Sequence, residues 1–509
     1  MIRTVEQYLD SLKDGRLIYA MGEKVKDVTT HPILQVVIQQ CAMDYYLCND
    51  PKYRSLFVGK NDEGEDVNFM FLPLKNPETV LKKREVYIEA CRICKGTGSL
   101  MHAMGVDALA ATALASQRMD KQIGTKYSER VEAYRKYIQK GDVAITGAIT
   151  DVKGDRSLRP SKQKQHKDYY VRVVDRQKDG IIVRGAKVHI SATPAANEAL
   201  VLPCRAHAEE DKDYAVVFST PLNAKGITLI YTDPWTREIG DEAEWDLPVT
   251  SNTPATECLI VFDDVFVPWE RVFMCGEWQF SRGVTWAFAT FHRLYSSAHM
   301  VTQAEMLAGT ASLLAEYNGL EKYEHIKNKL AWLAWYAEAI AIINEAACTH
   351  PEKEPDIDLW SPNGMYINVA KFLFAELYHE ATKVAQDIGG GILTTGPNYR
   401  DWANPEIRKH LEKFLSAKDG IPTEHRLKAL RSLKDQTFAH AAAYIHAEGS
   451  LAAQRIAMNA DADWERYRAS ALRLANIPGW EKHPLYGKYP DYPSCIKAKM
   501  PPIDKSYKL

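Results

Sequence analysis

Two histidines in the C-terminal half have the spacing of residues that share one side of a helix. His292 and His299 lie seven residues apart in the apolar segment Phe-His-Arg-Leu-Tyr-Ser-Ser-Ala-His. Seven residues make about two helical turns, so both imidazoles face the same way. Such a pair can bind a metal ion or act as a base with its partner. Two structural histidines in a helical core would have the same spacing, and the spacing alone favours that interpretation.

A polar, turn-rich segment from Thr150 to Lys164 carries two arginines and three lysines. Cationic side chains and backbone N–H groups gathered on a loop suit a phosphate group or the electron-rich edge of a flavin. The alternative is a solvated surface loop, which the segment favours when taken alone. The glycine-rich stretch from Gly389 to Gly396 has two similar explanations, a close backbone approach to a pyrophosphate or the end of a helix followed by a linker.

A Cys-x-x-Cys motif at Cys91 and Cys94 could be a ligand pair or a redox pair. A single motif without a second pair is weak support for a metal site, so two core thiols on a helix are favoured. The chain has nine cysteines, and its charged N-terminus lacks the apolar core of a signal peptide. We therefore expect reduced thiols and a cytoplasmic protein.

The pattern of apolar residues divides the chain into three parts. Residues 1–140 contain amphipathic stretches with helical spacing, of which the first follows Thr4. Residues 141–275 contain short β-branched runs broken by Gly, Pro, Asn and Asp, which is typical of strands. Residues 276–509 return to long helical patterns with short connections, which predict an antiparallel four-helix bundle. Because helices and strands are segregated, the predicted fold class is α+β.

Composition and motifs exclude several functions. The chain has 64 basic and 66 acidic side chains and a net charge of -2, so it lacks the basic excess of a nucleic-acid binder. No apolar run approaches the roughly 20 residues needed to span a bilayer. Neither G-x-G-x-x-G nor G-x-x-x-x-G-K-[ST] is present, so a Rossmann or P-loop nucleotide site has no support in the sequence.

Several long motifs carry a resemblance to one flavoprotein family. The N-terminal segment Glu-Gln-Tyr-Leu-Asp-Ser-Leu-Lys-Asp-Gly-Arg resembles the start of the 4-hydroxyphenylacetate 3-hydroxylases. The middle part carries Gly-Ala-Ile-Thr-Asp-Val-Lys-Gly-Asp-Arg, Asp-Gly-Ile-Ile-Val-Arg-Gly-Ala-Lys-Val-His and Asp-Lys-Asp-Tyr-Ala-Val, and it resembles 4-hydroxybutyryl-CoA dehydratase more closely. The segments Ile-Gly-Gly-Gly-Ile-Leu and Ala-Glu-Gly-Ser-x-x-Ala-Gln-Arg near the C-terminus are similar to the same family.

The resemblance implies an acyl-CoA-dehydrogenase-like fold with an N-terminal helical domain, a central β-barrel-like domain and a C-terminal four-helix bundle. It also implies a homotetramer and FAD bound between the β domain and the bundle. The residues of the matching motifs that would bind the cofactor are Gly147, Thr150, Lys153, Arg156, Ser161, Lys187, Ser191, Gly390, Gly449 and Ser450.

The dehydratase branch holds an iron–sulfur cluster with three cysteines and one histidine. His292 matches that histidine, but His299 occupies the position of the last cysteine. The two earlier cysteines would fall near Leu100 to Met104, which reads Leu-Met-His-Ala-Met. Cys91 and Cys94 lie about two helical turns upstream and do not replace them. We expect no cluster of the usual kind and no metal among the cofactors.

The hydroxylase branch uses an Arg and a Tyr in a Gly-Arg-x-x-x-Tyr stretch, and a His before the flavin loop. The matching positions here read Gly-Ser-Leu-Met-His-Ala-Met from Gly98 to Met104, and Thr146 or Gly147 before the loop. A 4-hydroxyphenylacetate substrate is therefore not indicated. Related halophenol monooxygenases place a histidine base near His292, and that element is present.

The predicted catalytic residues are His292, Glu257, Tyr295, His299 and His102. Glu257 matches a catalytic glutamate of the dehydratase branch, and His292 would be the base. The leading hypothesis is a monooxygenase that receives reduced FAD from a separate reductase and hydroxylates a small aromatic or conjugated substrate. The rival is an FAD-dependent dehydratase or isomerase of a small CoA thioester without the cluster. A third reading makes His102, His292 and His299 metal ligands.

Overall fold

The computed structural model describes residues 2–95, 101–231, 240–252, 257–355, 357–438, 449–488 and 498–502. The chain forms two compact units, Met1–Arg455 and Ile456–Leu509. Every residue predicted above to act in catalysis or cofactor binding belongs to the first unit. In the second unit, the side chain of Asp463 accepts a hydrogen bond from the backbone N–H of Arg466 and so caps a helix that ends at Leu474.

Capped amphipathic segments form the helices of the N-terminal part. The hydroxyl of Thr4 accepts from the backbone N–H of Gln7, whose side chain accepts from the backbone N–H of Thr4, so a capping box starts the first helix. Pro32 and Pro77 begin two further helices. A backbone N–H at this position has no partner within the helix, so its absence removes no hydrogen bond. The helices are α1 (Val5–Ser11), α2 (Pro32–Asn49), α3 (Arg54–Phe57), α4 (Pro77–Ile93), α5 (Met101–Ile123) and α6 (Tyr127–Gly141).

The N-terminal part also contains strands, which differs from the expected purely helical composition. They are β1 (Ile18–Ala20), β2 (Glu23–Lys24), β3 (Val58–Lys60) and β4 (Asp66–Asn68). The strand β1 pairs in parallel with a strand of the middle part, Ile18 opposite Leu229, and so extends a central sheet. Strands of two or three residues carry too little alternation to be predicted from the sequence.

The middle part forms two open sheets rather than a closed barrel. Its elements are β5 (Ile145–Ala148), β6 (Arg172–Arg176), β7 (Gly180–Ile190), β8 (Glu198–Val201), β9 (Val216–Pro221), β10 (Ile227–Tyr231), α7 (Asp241–Asp246), β11 (Cys258–Pro268) and β12 (Val272–Cys275). The strand order is β2-β1-β10-β11-β7-β6 in one sheet and β12-β9-β8-β5 in the other. The long antiparallel pair β7 and β11 is bent by register shifts between Cys258 and Ile260 and between Phe262 and Val265.

Long helices dominate the C-terminal part, and four of them pack into the predicted bundle. The elements are α8 (Ser281–Tyr317), α9 (Glu324–Thr349), β13 (Glu352–Lys353), β14 (Trp360–Ser361), α10 (Gly364–Gly389), α11 (Ile392–Thr395), α12 (Tyr399–Ala403), α13 (Pro405–Phe414), α14 (Thr423–Phe438), α15 (Leu451–Asp461) and α16 (Trp464–Leu474). Helices α8, α9, α10 and α14 share one apolar core, to which Leu307, Tyr336, Phe374 and Leu433 belong. The α+β class is therefore confirmed.

Helix α5 connects the β part to the C-terminal helices. A Cβ on Gly105 would lie 2.2 Å from the carbonyl oxygen of Ile145, so only glycine lets α5 approach β5 this closely. Another side of α5 packs against α8, and both helices contribute to a second apolar core with α4 and α6. Any polar side chain on the α5–α8 contact is consequently buried. Within the described residues, no helix is long and apolar enough to cross a membrane.

Candidate active site

A buried polar network joins α4, α5 and α8 at the carboxylate of Asp107. The Nζ atom of Lys83 lies 2.6 Å from Asp107 Oδ1, and the Tyr87 hydroxyl lies 3.1 Å from the same oxygen. His292 Nδ1 lies 3.1 Å from Asp107 Oδ2. We call these four residues the Asp107 network. All of them are at most 4% exposed, so their interactions are poorly screened by solvent.

Helical periodicity positions the members of the Asp107 network. Lys83 and Tyr87 are four residues apart on α4 and so lie one above the other on the same side. Helices α4 and α5 both pack on α8, which brings His292 to Asp107. Burial, and then the nearby charge of Asp107, raise the pKa of the Tyr87 phenol well above its usual value. Tyr87 therefore stays a hydrogen-bond donor to Asp107 at neutral pH.

Aromatic and imidazole rings follow one another along the same side of α8. The ring of Phe288 stacks on that of His292 with centroids 5.1 Å apart, and Tyr295 stacks between His292 and His299 at 5.6 and 6.2 Å. Tyr87 of α4 contacts the Tyr295 ring edge-on at 5.1 Å. The structure thus brings three of the predicted catalytic residues, His292, Tyr295 and His299, together on one face.

His102 belongs to a different buried cluster at the start of α5. Its Nδ1 lies 2.6 Å from Asp44 Oδ2, and its Nε2 lies 3.3 Å from Asp142 Oδ1. The same Asp44 oxygen accepts from the backbone N–H of His102 at 2.9 Å. Burial works against protonation of His102, but Asp44 and Asp142 outweigh it and raise its pKa to about 10. His102 is thus an imidazolium at neutral pH, and it contacts Asp44 and Asp142 rather than His292.

Glu257 lies at the beginning of β11 and contacts one of the predicted cofactor residues. The Ser191 hydroxyl donates to Glu257 Oε1 at 2.7 Å, and the Thr146 hydroxyl donates to the backbone carbonyl of Ser191 at 2.9 Å. These three residues connect the ends of β5, β7 and β11, and Gly147 follows Thr146 on β5. None of the described hydrogen bonds joins this group to the Asp107 network.

The loop after β5 is anchored to the β part by two buried charged groups. Lys187 Nζ lies within 2.8–2.9 Å of the carbonyl oxygens of Ile149 and Leu202 and of Asp151 Oδ1, so its three hydrogens all have protein acceptors. Asp211 accepts from the backbone N–H of Ser161 at 3.0 Å and from the Arg159 guanidinium at 2.9 Å. Lys187 is thereby placed under the loop, at 1% exposure, as one of its supports.

Two buried polar side chains near this loop lack partners in the described structure. The Ser161 hydroxyl and both ring nitrogens of His207 are buried without a hydrogen bond. The carboxylate of Asp211 fixes the backbone beside both side chains. It accepts from the backbone N–H groups of Ser161 and of Ala208, the residue after His207. Burial lowers the pKa of His207 to about 4, so its ring is neutral and offers one donor and one acceptor. Such orphaned groups beside a cationic loop fit a polar, anionic cofactor such as FAD.

The remaining predicted cofactor residues of the loop lie closer to solvent. Thr150 and Lys153 are half-buried and Arg156 is exposed. The backbone of Lys153 is in the left-handed region at φ 78°, and its N–H donates to the carbonyl of Tyr169 at 3.2 Å. Arg156, three residues further on, is exposed and can meet an anion.

The predicted cofactor residues of the C-terminal part lie at helix ends. Gly390 ends α10 with φ 72° and is exposed. Gly449 and Ser450 directly precede α15, and the Ser450 hydroxyl accepts from the backbone N–H of Ala453 at 3.3 Å. Within the described part of the chain, no hydrogen bond joins Gly390, Gly449 or Ser450 to the loop after β5. The segment Gly98 to Met104 was compared above with the hydroxylase and dehydratase branches. Its residues Gly98 to Leu100 lie outside the described residues.

Sequence reasoning missed several residues that shape these sites, although three of them had a signal. Lys83 interrupts the apolar side of α4, and Asp107 is an isolated acid in an apolar stretch of α5. Asp44 similarly stands alone between apolar residues of α2. A lone charged residue on a buried helix face needs a partner, which is the clue that periodicity alone overlooks. Tyr87 and His207 carry no comparable signal.

The described cysteines do not provide an iron–sulfur site. Among the described residues, no group of three or more His, Cys, Asp or Glu side chains could hold a metal ion. Burial, with Asp44 adding to it, raises the pKa of Cys94 to about 11 and raises that of Cys41 further. Without a bound metal these groups are therefore protonated thiols at neutral pH. Within the described residues, the cysteines and the histidine that a cluster needs are not gathered at one place.

Two family models cover nearly the whole chain. The N-terminal model of 4-hydroxyphenylacetate 3-hydroxylase matches residues 4–274, and the C-terminal model matches residues 281–476. The chain belongs to this family, as its motifs predicted. It is 32% identical to the 4-hydroxybutyryl-CoA dehydratase/vinylacetyl-CoA-Delta-isomerase of Clostridium aminobutyricum over 94% of this chain and 100% of that protein. It is 30% identical to the 4-hydroxyphenylacetate 3-monooxygenase oxygenase component of Thermus thermophilus over 86% of this chain and 89% of that one.

Solved structures of both kinds share the fold. An oxygen-tolerant archaeal 4-hydroxybutyryl-CoA dehydratase from N. maritimus has a TM-score of 0.86 at 28% identity, covering 94% of this chain and 96% of its own. The oxygenase component of 4-hydroxyphenylacetate 3-monooxygenase complexed with FAD has a TM-score of 0.82 at 26% identity, covering 93% and 98%. The predicted acyl-CoA-dehydrogenase-like architecture is confirmed, and the family is one of flavin enzymes whose members divide between two reactions.

Proposed function

We propose that this protein is an FAD-dependent monooxygenase that hydroxylates a small aromatic or conjugated substrate, with His292 as the base. The observation that supports the role of His292 as the base is the contact between His292 Nδ1 and Asp107 Oδ2 at 3.1 Å. A carboxylate can only accept, so Nδ1 carries the hydrogen and the other ring nitrogen, Nε2, is the basic atom. A neutral imidazole in this form can take the proton of a phenol and so make the ring carbon electron-rich.

FAD would be held by the loop after β5, with Ser161 and His207 supplying the buried hydrogen-bonding groups that lack protein partners. Thr150, Lys153 and Arg156 would meet its phosphates, and Gly147, Ser191 and the helix-end residues Gly390, Gly449 and Ser450 would line the rest. When bound, the reduced flavin supplies the activation of oxygen. The task of the chain is to orient the substrate, exclude water and move the proton at His292 Nε2.

An oxygen-18 experiment tests this function. The FAD-loaded protein is mixed with NADH, a flavin reductase and a panel of para-substituted phenols under labelled oxygen gas, and the products are analysed by mass spectrometry. We expect one labelled oxygen atom per hydroxylated product, dependent on the reductase. The proposal fails if no phenol is labelled while the same preparation converts 4-hydroxybutyryl-CoA without oxygen.

The second candidate is a redox-neutral dehydratase or isomerase of a small CoA thioester. It is supported by the 32% identity to the Clostridium enzyme along its whole length and by Glu257, which is half-buried beside Ser191. In that reaction Glu257 and His292 would exchange protons with the acyl chain. It is the second choice because the positions that match the cluster cysteines of the dehydratase branch hold other residues, Leu-Met-His-Ala-Met at Leu100 to Met104 and His299.

The wider setting follows from the same proposal. A monooxygenase of this kind needs a separate flavin reductase as its partner, and we propose a cytoplasmic homotetramer. Light scattering of the purified protein, with and without FAD, measures the number of subunits. A mass close to the 57.5 kDa of one chain would contradict the tetramer.

A further inference from the structure

We propose that Lys83, Tyr87 and Asp107 are positioning residues that fix His292 in the tautomer with hydrogen on Nδ1 and the lone pair on Nε2. The inference rests on the proposed role of His292 as a base, but not on which of the two reactions that base serves. It assigns a purpose to three buried polar residues on α4 and α5 that no motif of the sequence identified.

Three hydrogen-bond donors meet at the carboxylate of Asp107. Its carboxylate meets three neighbours at 2.6 Å, 3.1 Å and 3.1 Å, namely Lys83, Tyr87 and His292. An ammonium group and a phenol can only point hydrogens at a carboxylate, and the imidazole must do the same. Nothing in this arrangement tolerates an unprotonated Nδ1, because its lone pair would face a negative oxygen in a buried site.

The Asp107 network contains one positive and one negative side chain beside His292. Lys83 carries one positive charge and Asp107 one negative charge, so the pair is neutral before His292 is considered. The ammonium of Lys83, 2.6 Å from Asp107 Oδ1, offsets the attraction of that carboxylate for an imidazolium. The rings of Phe288 and Tyr295 on its own helix stack on His292, and the Tyr295 ring in turn contacts His299 and Tyr87. The network therefore orients His292 through Nδ1 and contains a positive charge that offsets that of Asp107.

Two variants, Asp107→Asn and Lys83→Met, distinguish a positioning role of the network from a packing role. Asp107→Asn keeps the volume, but its amide can donate a hydrogen to Nδ1 and so permits the opposite tautomer. Lys83→Met keeps most of the length of the side chain and removes only the charge. Since the two variants remove opposite charges near His292, the acid limb of the pH–rate profile should move to lower pH in Asp107→Asn and to higher pH in Lys83→Met. A loss of packing alone would lower kcat in both without opposite shifts.

The decisive measurement is nitrogen-15 NMR of protein labelled on histidine, with the His292 signals identified by their loss in His292→Gln. We expect a protonated Nδ1 and an unprotonated Nε2 in the wild-type protein at neutral pH. Asp107→Asn should convert the signal partly or wholly to the other tautomer and lower kcat by about 10²–10⁴-fold, with KM less affected.

The chain offers a matched control at Glu198. This carboxylate is 3% exposed and accepts from Arg271 at 2.6 Å and from the Tyr134 hydroxyl at 3.0 Å, so it repeats the cation and phenol of the Asp107 network. Its described partners include no histidine. Glu198→Gln should therefore leave the His292 nitrogen signals as they are in the wild-type protein.

The outcomes distinguish this inference from the proposed function. A wild-type His292 with hydrogen on Nε2 overturns the inference without the need for any variant to fold. An unchanged His292 signal in Asp107→Asn overturns it as well. If the tautomer responds as expected but no phenol is hydroxylated, the positioning role stands and only the monooxygenase proposal fails.

Discussion

The two buried histidines that meet aspartate carboxylates, His102 and His292, differ in the charge balance of their surroundings. Asp44 and Asp142 both contact His102, and among the described residues their charged side-chain partners comprise this imidazole alone. At His292 the single carboxylate of Asp107 already has the Lys83 ammonium as its counter-charge. Two carboxylates therefore stabilise His102 as a cation, whereas at His292 the Lys83 ammonium offsets the charge of Asp107.

This difference explains why residue type and burial do not identify a base. Both imidazoles are at most 2% exposed, and both have an aspartate oxygen within hydrogen-bonding distance. With a pKa of about 10, His102 cannot accept a proton at neutral pH. In the proposed role of His292 as a base, the ammonium of Lys83 on a neighbouring helix would offset the charge of Asp107. The lesson is that the count of charges around a histidine decides its chemistry.

The largest expected effect is on turnover at His292. His292→Ala removes the base and should lower kcat by about 10²–10⁴-fold, the usual contribution of a positioned general base. FAD binding should persist, because the proposed flavin groups lie on the loop after β5. Steady-state kinetics and flavin fluorescence titration measure the two quantities. Activity that survives in His292→Ala would show that the base lies elsewhere.

The next effect is on stability and concerns His102. His102→Leu leaves two buried carboxylates without their cation, which should lower the free energy of unfolding by about 3–5 kcal/mol. Adding Asp44→Asn and Asp142→Asn to the same variant should recover part of the loss, because the uncompensated charges disappear. Urea denaturation of the three proteins measures this. A loss that the added substitutions do not reduce would mean that His102 acts through packing.

The sequence predicts the layout of the molecule well and its charge networks poorly. Periodicity predicted helices in residues 1–140 and 276–509 and strands in residues 141–275, because elements such as α4, α5 and β7 are long enough to show their period. The three-residue strand β1 was not predicted, since its pairing with β10 joins residues more than 200 positions apart, and the two-residue strand β2 pairs with β1. The role of Asp107 was not predicted for the same reason, because its partners Lys83 and His292 are 24 and 185 residues away in the sequence.

The third effect is the pH dependence of stability. The pKa of His102 is raised in the folded protein, so its contribution is complete below about pH 6.5 and is lost as the pH rises towards 10. Burial works against ionisation of Asp44, but His102 keeps the pKa of this carboxyl below its usual range, so that contribution is lost in acid. The wild-type unfolding free energy should fall between pH 7 and 10 by at most about 1.4 kcal/mol per pH unit. In His102→Leu that part of the slope should vanish, and a slope that persists would locate the titrating group elsewhere.

The smallest effect sharpens the comparison, because it removes a hydrogen bond from the Asp107 network without changing its charge. Tyr87→Phe should cost about 0.5–1.5 kcal/mol of unfolding free energy, and Tyr134→Phe, which removes the matching bond to Glu198, should cost about the same. Since Lys83 still balances Asp107 in Tyr87→Phe, His292 should keep its tautomer and kcat should fall less than tenfold. A larger loss of kcat would mean that the Tyr87 hydroxyl does more than hold Asp107, and charge balance alone would then be an insufficient explanation of how His292 differs from His102.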